Sequence, residues 1–106
     1  MGANALRGEA ELCVAGARLV LRPSFAALVA AEAELGPLFA LVERAADGRL
    51  ALGELATLFW HFVKDRPDAL AREDVGEAVV AQGLAAVTPA LRILLGQILQ
   101  LSLIHI

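Results

Sequence analysis

The chain has 106 residues, 58% of them hydrophobic, and a formal net charge of −3; this is one small domain, and the acidic balance speaks against an electrostatic binder of nucleic acid. Its one cysteine, Cys13, excludes an internal disulfide. No charged-then-apolar leader follows Met1-Gly2, so the expected compartment is a reducing cytoplasm.

The first element is a two-stranded antiparallel hairpin. If Ala15-Gly16 is a two-residue turn, Val14 pairs with Ala17, Leu12 with Leu19 and Ala10 with Leu21, all on one apolar face. The other face then carries Glu9, Glu11, Cys13, Arg18, Val20 and Arg22, with Glu9 opposite Arg22 and Glu11 diagonal to Arg18 and Arg22. One register satisfies both faces, which favours a hairpin over a helix. Pro23 ends the second strand, and Ser24 is placed to cap a helix that starts at Phe25. An isolated hairpin is marginal in water, so its apolar face must rest on the helical part of the chain.

Five helices complete the chain. The first presents Phe25, Leu28, Val29 and Leu35 as its inward stripe and stops at Gly36-Pro37. Pro37 starts the second, with Leu38, Leu41, Val42 and Ala45 inward and Gly48 as terminator. The third, 52–65, buries Leu52, Leu55, Leu58, Phe59 and Phe62 before the breaker Arg66-Pro67-Asp68. The fourth, 72–82, turns Val75, Ala78 and Val79 inward and ends at Gly83. The last, 84–100, aligns Leu84, Val87, Leu91, Leu94, Leu95 and Ile98, with Pro89 near its first turn. The fold class is therefore α+β: an N-terminal hairpin packed on a bundle of short helices, as a single domain over 1–100.

The order of short motifs along the chain resembles the phage-type tail assembly chaperones of gene transfer agent clusters. The residues carrying the likeness are Arg7-Gly8-Glu9, Gly16, Leu21-Arg22-Pro23-Ser24-Phe25, Glu32, Gly36, Glu73-Asp74-Val75-Gly76-Glu77 and Gly83-Leu84, spread from Arg7 to about Gln100. Two positions depart from the pattern: Ala15 stands where Asp often precedes the turn glycine, and Ala71 where a Ser or Thr cap is usual. The resemblance implies a non-enzymatic helper that coats the tape-measure protein and yields as tail tube subunits assemble around it. The expected partners are therefore the tape-measure protein and tail tube subunits, with self-association a further expectation; neither nucleic acid nor a membrane is expected.

Such a role needs accessible apolar surface. Trp60 falls off the stripe of the third helix, where it either forms a half-exposed binding residue or covers the hairpin or the last helix. Ile93, off the main stripe of the last helix, is a second candidate. Glu73, Asp74 and Glu77 open the fourth helix, where they complement its dipole or form an acidic docking patch. Glu32 lies on the apolar side of the first helix, either paired with Arg18 or Arg22 or reaching to the edge.

Catalytic and ligand chemistry is thin. His61 has no second histidine or cysteine at ligand spacing, and Cys13 has no histidine near it in sequence. No phosphate-cradling glycine pattern is present. No cofactor, metal or catalytic set is expected. A tail tube subunit is the nearest alternative, although a ring of joined sheets needs several long strands and one hairpin is legible. A DNA-binding regulator using the third and fourth helices is a further alternative, set back by the acidity of 72–82. The final residues, Leu101-Ser102-Leu103-Ile104-His105-Ile106, read as the translation of a transposase-end sequencing adapter, so 101–106 are expected to be a non-native tail; a natural apolar extension of the last helix is the alternative. The apolar stretch from Leu84 onward contains Pro89, Arg92, Gln97 and Gln100 and is not read as a membrane span.

Overall fold

A computed structural model of the chain describes residues 8–105, with side chains placed for 8–100. Arg7, one of the motif residues, lies outside the described residues. Strands β1 (Ala10–Val14) and β2 (Ala17–Leu21) are followed by helices α1 (Phe25–Leu35), α2 (Leu38–Ala46), α3 (Leu52–Phe62), α4 (Arg72–Gln82) and α5 (Leu84–His105). This is the α+β architecture expected, hairpin first.

The hairpin has the expected register, with Ala10 opposite Leu21, Leu12 opposite Leu19 and Val14 opposite Ala17. Ala10, Leu12, Val14 and Leu21 are buried, while Glu11 and Cys13 between them face solvent. Ala15 (φ 51°) and Gly16 (φ 82°) both adopt left-handed backbone, the conformation a two-residue type I′ turn requires for strands of native twist. Glu9 is buried beside Arg22, at 3.7 Å. Gly8 is held at φ 75° with the Gln97 side chain of α5 only 2.6 Å from where a Cβ would sit, so the entry to β1 is pressed against the last helix.

Helix α3 lies at the centre, touching α1, α4 and β2, while α5 closes the other side against β1, α2 and α4. Residues Leu58, Phe59 and Phe62 of α3 are fully buried with Leu21, Leu41, Val75, Val79 and Leu94. Phe59 and Phe62 are the largest buried side chains, and aromatic burial dominates the energetics of a core this small.

Three expectations about the helices are corrected. The third helix ends at Phe62, not Asp65. Val63 instead takes extended backbone and bridges Leu21, with the Arg22 N–H donating to the Phe62 carbonyl at 2.6 Å and the Lys64 N–H donating to that of Val20 at 2.8 Å. The open edge of β2 thereby gains partners that helical pattern alone does not reveal. Helix α5 continues beyond Gln100 to His105. Four residues placed inward are exposed: Phe25 (83%), Val29 (49%), Leu52 (48%) and Leu84 (60%). Phe25, Leu52 and Leu84 are each the first residue of their helix, a position that does not by itself decide burial, since Leu38, first in α2, is buried. Helix α1 is apolar on most of its circumference, so periodicity does not choose its buried side; Ala31 is fully buried and Leu28 and Leu35 partly so.

The caps explain several motif residues. Ser24 Oγ accepts the Ala27 N–H at 3.2 Å, and Gly36 (φ 84°) and Gly83 (φ 86°) terminate α1 and α4. Glu32 pairs with neither Arg18 nor Arg22. Its carboxylate accepts the Leu38 N–H at 3.2 Å, satisfying the first free donor of α2, where Pro37 at the cap position has no side-chain acceptor. At α4, Asp74 reaches back to the Ala71 N–H at 2.9 Å; alanine has no oxygen to return the contact, so half a capping box is present.

Candidate interaction surface

Trp60 is half-buried on α3 and packs against the core, with the Arg66 guanidinium 4.0 Å above its ring centroid and Arg72 at 5.7 Å. Arg72 in turn grips Glu34 with both terminal nitrogens, and His61 Nε2 lies 2.9 Å from the same carboxylate. The hydrogen bonds from Arg72 first and His61 second pull the Glu34 carboxyl from its usual 4.5 to about 2. This cluster ties α1 to α3 and α4. Trp60 is thus a platform for two arginines, and the ring contributes cation–π attraction as well as apolar cover. Ile93 is half-buried against the core.

Two sets of exposed apolar residues bear on function among the described residues. On α1, Phe25 and Val29 stand one turn apart and exposed, flanked by the exposed Ala26, Ala30 and Ala33. Helix α2 leaves α1 at 75° and exposes Phe39 (50%). Large apolar side chains this open cost solvation in a free monomer and mark contact sites when they cluster.

The second surface is a shallow groove of about 300 Å³ between α3 and α4, lined by Leu52, Gly53 and Ala56 from α3 and Glu73, Gly76, Glu77 and Val80 from α4. Glu73 and Glu77 are exposed and have no ion-pair partner among the described residues, whereas Asp74, the third member of that acidic trio, is occupied at the start of the helix. The acidic residues legible in the sequence therefore divide by role. The groove itself is not legible there, because it depends on how two helices cross; its one sequence signal is Gly76 in mid-helix.

Among the described residues, no group of three or more His, Cys, Asp and Glu side chains is placed to hold a metal ion. Cys13 is exposed on the charged side of the hairpin, and the Gln82 side chain donates to its carbonyl at 2.7 Å. No single helix among them is long and apolar enough to cross a membrane.

The model of one protein family, described as phage tail tube protein, GTA-gp10, matches residues 7–101. No curated protein and no solved structure matches the chain.

Proposed function

The chain belongs to the phage tail tube protein, GTA-gp10 family, and from that premise we propose that it is a non-enzymatic tail assembly chaperone of a gene transfer agent or prophage. It holds the tape-measure protein soluble in the producing cell's cytoplasm until tail tube subunits assemble around that client. The observation that carries this reading is the exposed apolar surface of α1 and α2, with Phe25, Val29 and Phe39 open to solvent. Such a surface suits a long, helical, aggregation-prone client, because apolar contact is non-directional and can be surrendered as a better-matched partner arrives. The test is co-expression with the tape-measure protein of the same gene cluster. Soluble client should rise with the wild-type chain and fall back with Phe25→Ser/Val29→Ser, exposed changes that leave the core intact.

A second reading comes from the family description, which names the tail tube itself. As a tube subunit, the chain would stack with copies of itself into rings. Sheet joining is the usual means, and the hairpin edges offer little room for it: the 62–64 segment occupies β2, and Gln82 takes the Cys13 carbonyl on β1. Electron microscopy of the purified chain separates the two readings: rings or tubes favour the subunit, and their absence alongside client solubilisation favours the chaperone.

A further inference from the structure

We infer that the α3–α4 groove is a docking site for an amphipathic helix of a tail partner, one whose apolar stripe is bordered by lysine or arginine. The inference rests on the tail-partner reading above and names the chemistry of the segment recognised.

Three observations converge on it. The floor is made of residues with little or no side chain: Gly53, Ala56 and Gly76. Glycine inside a helix is usually explained by a neighbour that leaves no space for a Cβ. That explanation fails here, since a Cβ on Gly53 would meet nothing within 4 Å and one on Gly76 only the Ala56 Cβ, at an ordinary 3.8 Å. Two poor helix formers thus keep open a space that packing does not require. Leu52 and Val80, 48% and 61% exposed, also line that space, apolar side chains suited to grip an inserted aliphatic residue. Finally, Glu73 and Glu77 stand one turn apart along the rim without an ion-pair partner among the described residues.

A cleft between helices with an apolar floor and two aligned carboxylates fits a helix laid along it. Small or aliphatic side chains enter the floor, and cations at one-turn spacing meet the glutamates. The preference for a basic border comes from charge complementarity, and it excludes this chain's own acidic α4 as the occupant.

The probe is a synthetic helical peptide with a Leu/Ala stripe bordered by Lys, compared with the same peptide bordered by Glu, titrated against the full chain by fluorescence anisotropy. The Lys peptide should bind at least tenfold more tightly than the Glu peptide. Glu73→Gln/Glu77→Gln should remove most of that preference, and Gly76→Leu, which fills the floor, should weaken the Lys peptide at least tenfold. Gly76→Ala, a smaller intrusion that favours the helix, gives the same direction of change should the leucine variant fail to fold. Equal binding of both peptides, or unchanged binding by the groove variants, overturns the site. A change of oligomeric state in Glu73→Gln/Glu77→Gln on sedimentation would instead assign the groove to a second copy and also overturn it. The tail reading fails separately: if wild-type chain does not solubilise the tape-measure protein, that reading falls while the peptide titration still judges the groove. If wild-type and groove variants solubilise it equally, the reading stands and the groove proposal falls.

Discussion

At the scale of single residues, the turn at Ala15-Gly16 is the clearest place where sequence and backbone disagree. Ala15 adopts φ 51°, and a left-handed residue with a Cβ costs roughly 1–2 kcal/mol. Asn or Asp relieves that cost, and Ala15→Asn should raise the stability by about 1 kcal/mol, seen as a melting temperature higher by roughly 4–8 °C. The hydrogen-bonded trio of Glu34, Arg72 and His61 makes a different prediction. Because the Glu34 carboxyl is lowered from 4.5 to about 2, its contribution is present above pH 4.5 and is lost as pH falls toward 2. Denaturation of wild type and Glu34→Gln should therefore differ above pH 4.5 and converge between pH 4.5 and 2; the group is largely exposed, so the difference is small. A gap that widens with acid would contradict the pairing. Nothing near Glu34 in sequence announces this trio, since Arg72 lies 38 positions away. Glu32, by contrast, stands out as a carboxylate on the apolar side of α1, yet its partner is the Leu38 N–H, a backbone group that charge patterning does not reveal.

Among the elements, the hairpin is legible in full because two faces have to be satisfied at once, and a slip of one residue would put Leu12 in water and Glu11 in the core. Helix α1 is legible in extent but not in orientation. Its ends are written by Ser24 and Gly36, while its apolar residues surround the axis, so the choice of Ala31 over Val29 as the buried residue is made by tertiary packing, α3 being its main neighbour, and not by the helix's own pattern. The end of α3 escapes sequence reasoning for a related reason, since Val63 leaves the helix to meet Leu21, 42 positions earlier in the chain. The interior of α4 carries a testable consequence of the same physics. Gly76 has space for a methyl group, so Gly76→Ala should stabilise the fold by about 0.5–1 kcal/mol in thermal or urea denaturation. Ala71→Ser should add a cap and a further ~1 kcal/mol. A loss of stability in Gly76→Ala would mean that α3 and α4 lie closer than they do here. The core has no such slack: Phe59→Ala, at a fully buried site, should cost about 3–5 kcal/mol and leave a domain of this size close to unfolding.

For the molecule as a whole, the apolar surface is sorted into three kinds. The hairpin and the inner stripes of the helices form one core; α1 exposes Phe25 and Val29 and α2 exposes Phe39; α3 and α4 enclose a groove lined in part by Glu73 and Glu77. Trp60, the residue most conspicuous in the sequence as a partner contact, lies under Arg66 and beside Arg72, whereas the most exposed large apolar residue among the described residues is Phe25. The family places the chain among phage-type tail proteins, and the proposed work of that exposed surface is to shield a client until the tube forms. The most direct measurement is the soluble fraction of the tape-measure protein expressed with the wild-type chain, with Phe25→Ser/Val29→Ser, and alone. The chaperone account predicts several-fold more soluble client with wild type than alone, and most of that gain lost in the variant; equal solubility in all three would contradict it.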